Sequence, residues 1–257
     1  MSRPRPDCLA PAMTGSRLSF IPGRWSAGAL DVLIRASSAI AEAGERIAFL
    51  SEKFLGTPYR ESTLIGNETV PEVLVVNLEG LDCFTFIDYI EAMRLSGSFR
   101  EFAEKLRKVR YRSGEVAFSK RNHFFSDWRE YNRDCVLDVT KAIGGKNTEQ
   151  TRKVLNSKGD GSGFISGLPS VERVISHIPS EAVDRAMLGR LRTGDYVGVY
   201  SSLQGLDVSH VGIIISKRKT VSLRHASSKH RSVIDEDFAS YIAGTSGLMV
   251  LRPRKDV

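Results

Sequence analysis

Three cysteines in 257 residues are too few for a disulfide framework. No apolar run approaches the ~18 residues that a membrane-spanning helix requires. The chain also lacks the ordered cysteine and histidine pairs of a zinc finger, an aromatic RNA-binding signature and a basic region followed by heptads, so no nucleic-acid partner is expected. Gly159-Asp160-Gly161-Ser162-Gly163 has no strand before it and no lysine within it, so it reads as a flexible loop and not as a phosphate cradle. Residues 1–24 are rich in arginine and proline but have no continuous apolar core of the signal-peptide kind. They read as a disordered or loosely attached leader, and the literal compartment is the cytoplasm.

What remains is ordinary for a soluble globular protein: 41% hydrophobic residues, 26% charged residues and a net charge of +7. The length suits one domain, expected over 25–257. A diffuse basic surface serves solubility and can also draw in an acidic substrate. Helical spacing runs through Leu30, Leu33, Ile34, Ile40, Ile47, Leu50 and Phe54, with a break near Gly44. It returns in Cys83, Phe86, Ile87, Ile90 and Met93, and again in Phe99, Phe102, Leu106 and Val109. Residues 111–131 are aromatic and basic with little period, and 145–170 reads as a long inserted loop. The last third changes to strand-like runs at 195–200, 208–216, 220–226 and 248–252. Helices first and an antiparallel sheet after them predict an α+β fold.

All three cysteines follow an aspartate, so context separates them. Cys8 lies in the leader. Cys135 precedes a short strand-like run and reads as a small buried hydrophobe. Only Cys83 opens a helix, where unpaired backbone N–H groups and the macrodipole favour a thiolate. A nucleophilic thiol needs a base and something to orient that base. His210 starts a strand, His225 ends the next one, and a hairpin between them would set the two rings side by side. Gly212 would leave room there for a close neighbour. His177 and His230 read as a structural and a solvated histidine. A helix-start cysteine or a strand histidine taken alone is more often structural; the joint order favours a nucleophile and its base.

His123 sits in Arg121-Asn122-His123-Phe124-Phe125-Ser126-Asp127-Trp128. Aromatic faces stack on sugar and a guanidinium forks onto a carboxylate, so this stretch suits a glycan or a peptide carboxylate. It suits a core-covering loop equally well. A zinc site from His123, His210 and His225 is the weaker alternative, because it would leave Cys83 without a purpose. No metal and no organic cofactor is expected.

At these residues the chain resembles the NlpC-type superfamily of papain-like cell-wall hydrolases. The shared features are Gly56-Thr57-Pro58-Tyr59, Asp82-Cys83, Gly194-Asp195 and Ser209-His210-Val211-Gly212, with a third polar residue on the next strand. Within that superfamily it resembles the N-acetylmuramoyl-L-alanine amidase-like branch. The branch features are Ser62-Thr63-Leu64, Asn77-Leu78-Glu79, Arg110-Tyr111-Arg112, the His123 to Trp128 stretch, Gly205 to His210 and His225-Ala226-Ser227-Ser228. The resemblance implies a papain-like fold with a Cys83-His210-His225 triad. It places Tyr59 near the cysteine, and the candidate substrate contacts are Tyr59, Asp82, Arg121, His123, Asp127, Trp128, Ser209 and Ser227. The implied activity is hydrolysis of the amide between the muramoyl lactyl group and L-alanine in (anhydro-)muropeptides, by a monomer. Many members of the superfamily are exported, so the resemblance also admits the periplasm. Rival readings are a D-glutamyl-diamino acid endopeptidase, an acyl- or peptidyl-transferase, and an inactive module that binds glycan or peptide. Phe84 departs from the small or hydroxylated residue usual after the cysteine and would narrow the groove.

Overall fold

The computed structural model describes residues 18–217 and 220–255. Its helical half begins with strand β1 (Leu18–Ile21), helix α1 (Ala27–Ser38) and helix α2 (Ala43–Glu52). Strand β2 (Leu74–Asn77) follows, then α3 (Cys83–Arg94), α4 (Phe99–Arg110) and the short α5 (Phe125–Tyr131). The Ser26 and Ser98 side chains cap α1 and α4 by accepting from backbone N–H groups three residues on. The leader reading of 1–24 fails for its last part: Leu18–Ile21 pairs in parallel with β2. The arginine and proline around that segment hid a four-residue strand. Cys8 lies outside the described residues.

The rest comprises β3 (Val136–Asp138), α6 (Thr140–Gly144), β4 (Glu149–Leu155), β5 (Val171–His177) and α7 (Arg185–Leu188). After them come β6 (Tyr196–Tyr200), β7 (Val208–Lys217), β8 (Thr220–Ser227), β9 (Ser232–Asp237), α8 (Phe238–Ala243) and β10 (Leu248–Pro253). Six strands form an antiparallel sheet in the order β3-β10-β6-β7-β8-β9. The α+β segregation read from the sequence is what the chain adopts, with the helical half first. The expected loop at 145–170 is shorter than read. Its first part is β4, which pairs with β5 as a separate antiparallel ribbon. Glu149-Gln150-Thr151-Arg152-Lys153 is too polar to read as a strand from its pattern. Among these residues Lys153 is buried, and its ammonium donates to the carbonyls of Ser201, Leu203 and Leu206. That fastens the ribbon to the turn leading into β7.

Two apolar clusters sandwich the sheet. One packs Phe86, Ile87, Ile90 and Met93 of α3 with Val211, Ile213 and Ile215 of β7. The other joins Ile214 and Leu223 to Phe238 and Ile242 of α8. Buried charges anchor α3 and are paired, as their desolvation demands. Asp88 accepts from Arg110 Nε at 2.8 Å and Trp128 Nε1 at 3.0 Å. Glu91 holds Arg94 at 2.6 Å and accepts from the Tyr196 hydroxyl at 2.7 Å, which joins α3 to β6.

Residues 56–59 run along β9 and extend the sheet by one irregular strand. Gly56 N donates to Val233 O at 2.9 Å, Val233 N to Thr57 O at 2.9 Å, and Tyr59 N to Arg231 O at 2.9 Å. No helix among the described residues is long and apolar enough to cross a membrane.

Candidate active site

Asp82 starts α3. Its Oδ1 accepts from Thr85 N at 2.7 Å, and Asp82 N donates to Thr85 Oγ1 at 3.0 Å, a reciprocal capping box. Asp82 was expected at the substrate; the structure gives its carboxylate to the cap. Cys83 is therefore the first residue of a well-defined helix, half-buried and not in a disulfide. Backbone N–H groups of Val211, Cys83 and Phe84 all favour its thiolate. They do not win. Burial, with the Asp82 charge second, pushes the Cys83 thiol up to about 12. The helix-start cysteine was expected to rest as a thiolate; it rests as a neutral thiol. Asp82→Asn tests this balance. Asparagine caps as well as aspartate but carries no charge. Iodoacetamide labelling of Cys83 is expected to gain speed and to shift its pH dependence downward; an unchanged profile would remove Asp82 as a cause.

β7 carries the histidine. Val199 of β6 faces His210 while Tyr200 faces Val208, so Ser209 is the surplus residue of a β-bulge. The bulge leaves Ser209 exposed and aims His210. Asp207, buried just before it, accepts from Ser126 N at 2.6 Å and Val208 N at 2.8 Å and pins the start of the strand. His225 comes from β8, as the hairpin reading expected, and His210 Nε2 lies 2.7 Å from His225 Nδ1 with the rings nearly perpendicular. Gly212 makes this fit: a Cβ there would meet His225 Cβ at 3.0 Å and Leu223 Cδ1 at 2.7 Å. Burial and then the neighbouring His225 lower His210 to about 3.

Two groups absent from the sequence reading complete the cluster. Glu236 of β9 has Oε2 2.7 Å from His225 Nε2 and Oε1 3.4 Å from His230 Nε2. His230, expected as a solvated residue, is exposed but is drawn to this carboxylate. Tyr241 of α8 presents its ring edge-on to His225, centroids 5.2 Å apart, and lies 6.2 Å from His210. Beside the two rings is a cavity of about 620 Å³ lined by Ser209, Ser227, Lys229 and Tyr241 among others.

The Val211 N–H, one residue beyond His210, is the first of the groups that favour the Cys83 thiolate. The thiol makes no hydrogen bond to His210 in this resting arrangement. Tyr59 approaches from the segment along β9. Its hydroxyl is raised by burial and next by Cys83, and Arg231 lies 5.3 Å over its ring. Phe84 is half-buried and packs against the main core.

The aromatic stretch turns out to cover the core. Trp128 is fully buried with its indole N–H on Asp88. Arg121 forks onto Glu72, Nε to Oε1 at 2.9 Å and Nη2 to Oε2 at 2.5 Å, so its charge is already matched and is not open to a substrate carboxylate. Asp127 pairs with Arg173 at 2.9 Å. His123 Nε2 donates to Phe118 O at 2.7 Å, with its ring edge-on to Phe118. The three-histidine zinc alternative is not assembled: among the described residues no group of three His, Cys, Asp or Glu side chains is arranged to hold a metal. Arg121, His123, Asp127 and Trp128 were expected at the substrate, and each is engaged elsewhere by the fold.

Comparison with known proteins agrees with this architecture. An N-acetylmuramoyl-L-alanine amidase from Bacteroides uniformis superposes with a TM-score of 0.72 at 26% identity, over 83% of this chain and 99% of that one. A protein from Legionella pneumophila shares the fold with a TM-score of 0.75 at 20% identity, over 88% and 94% of the two chains. No curated protein sequence matches. The sequence model of the N-acetylmuramoyl-L-alanine amidase-like family matches residues 49–248, and the chain belongs to that family of hydrolases.

Proposed function

We propose that this protein is a cysteine amidase of the papain-like type that cuts the amide between the muramoyl lactyl group and L-alanine in peptidoglycan fragments. One observation carries the reading. The only cysteine at a described helix start is placed so that the N–H of Val211, the residue after His210, favours its thiolate, and His210 is backed by His225 at 2.7 Å.

With a neutral thiol at rest, proton transfer and attack go together, as in a serine–histidine pair. Cys83 Sγ attacks the amide carbon while its proton passes to His210 Nδ1, the ring nitrogen that His225 does not occupy. The ring closes on the thiol for this step; catalytic hydrogen bonds are often long in the free enzyme and tighten with substrate bound. The carbonyl electron pair moves to oxygen, which faces the N–H groups at the start of α3. Collapse breaks the C–N bond, and His210 Nδ1–H protonates the departing L-alanine amine. Water then attacks the thioester, gives its proton to His210 and releases the lactyl carboxylate, and the thiol recovers its proton from the ring. Tyr59 from one side and the hydroxyl-lined cavity with Lys229 from the other would meet the substrate, whose stem peptide is anionic. Ser209 and Ser227 line that cavity.

Digestion of defined muropeptides, with the products weighed by mass spectrometry, tests the reading. Free muramoyl sugar and an intact peptide beginning with L-alanine are expected. Sugar still bearing a two-residue stem would replace the amidase with an endopeptidase.

The depressed His210 sets a pH signature. A general base works only when neutral, so activity is lost as pH falls through its pKa. At about 3 that limb lies well below the ordinary value near 6.5. The kcat/KM profile is expected to stay flat from about pH 8 to about pH 5; a loss centred near 6.5 would contradict it.

A further inference from the structure

The register of β8 and β9 sets His225 opposite Ile234, with Glu236 two residues along and therefore on the same face. The result is a line of groups: His210 Nε2, His225 Nδ1, His225 Nε2 and Glu236 Oε2, with 2.7 Å at each of its two hydrogen bonds. His225 is almost fully buried, and the Glu236 side chain is about a quarter exposed. An imidazole between two partners can point its one proton either way. A second imidazole would accept either arrangement, but a carboxylate cannot donate. The Nε2 of His225 must therefore carry the proton that Glu236 accepts, because an unprotonated Nε2 at 2.7 Å would set two lone pairs against each other. Then Nδ1 of His225 is an acceptor, His210 must donate from Nε2, and His210 Nδ1 is left with its lone pair. Burial keeps both rings below the ordinary histidine range, so each holds a single proton at neutral pH and the direction is unambiguous.

We propose that Glu236 is a positioning residue that fixes the tautomers of His225 and His210, so that His210 Nδ1 is left as the free base. The inference rests on His210 being the base for Cys83. Glu236 touches no reacting atom and acts only through the two rings. A glutamine in its place would accept from or donate to His225 with nearly equal ease, and the relay would lose its direction.

Long-range ¹H–¹⁵N correlation on ¹⁵N-labelled protein at pH 7 reads the tautomers without any turnover. Wild type is expected to show both rings as Nε2–H. Glu236→Gln is expected to give a mixture at His225, with kcat down by about 10-fold to 100-fold and KM little changed. That loss is smaller than the roughly 10,000-fold seen when the carboxylate directly behind a catalytic histidine is neutralised, because one more ring intervenes. Glu236→Asp is expected to recover the Nε2–H preference and part of kcat. Both rings remaining Nε2–H in Glu236→Gln would overturn the proposal whatever happens to the rate, and so would a mixture with kcat unchanged. If Cys83→Ala kept its activity while wild type showed the expected tautomers, the nucleophile assignment would fail and the relay would stand.

Discussion

Replacing Cys83 by alanine is expected to abolish muropeptide cleavage and leave the protein folded. The argument begins with what the side chain does for stability, which is little. The cap of α3 is made by Asp82 and Thr85, and alanine is the best helix former. The apolar face of α3 is carried by Phe86, Ile87, Ile90 and Met93, all buried. Activity, by contrast, has no substitute thiol at a helix start among the described residues: Cys135 sits at the head of β3 beside Arg94, and its thiol is itself raised by burial. Covalent catalysis removed at its nucleophile falls by about a million-fold in well-studied hydrolases, which reads as no detectable product. Serine at 83 is expected to fare no better, because His210 is a weak base for an alcohol. Mass spectrometry of the digest and a thermal melt together check this. Undiminished turnover by Cys83→Ala would sink the assignment.

The largest structural effect is expected at Asp88. This carboxylate is buried on α3 and receives both Arg110 and Trp128. Arg110 is equally buried; its Nη1 donates to Val75 O at 2.7 Å and its guanidinium lies 5.1 Å from the Tyr89 ring centroid. Asp88→Ala would leave that charge without its carboxylate and the indole N–H without its acceptor. Breaking a buried pair from one side costs about 3–5 kcal/mol. Asp88→Asn keeps an acceptor and should cost less. Urea unfolding, read as the shift in midpoint at constant slope, measures both. A change under about 1 kcal/mol in the alanine variant would mean that the pair is not desolvated as the fold implies.

Much of the architecture was legible in the sequence because it rests on periodicity. The apolar faces of α1 to α4 and the dense runs of β6, β7, β8 and β10 are written in residue spacing. The pairing of His210 with His225 was legible too, since a hairpin between two recognisable strands fixes it. β4 was not, because a ribbon outside the main sheet can afford Glu149 and Arg152 on exposed positions. β9 was not, because Asp235, Glu236 and Asp237 interrupt any apolar alternation. Losing β9 meant losing Glu236. The state of the thiol was illegible for a different reason. The helix N-terminus, which sequence shows, and burial, which it does not, push Cys83 in opposite directions, and burial is the larger. Arg121 and Trp128 show the same limit: their chemistry suits a ligand, and only Glu72 and Asp88, distant in sequence, reveal that each is already taken.

The segment along β9 has one more effect. A free flank of a sheet is a template on which another chain can add a strand and begin to aggregate. Here the backbone of Gly56, Thr57 and Tyr59 pairs with Arg231 and Val233 at the head of β9, and at the opposite flank β3 offers only three residues. Strand-on-strand stacking between copies is thus disfavoured along β3 and at the head of β9, and the stretch that brings Tyr59 near the thiol is also the one that covers the latter.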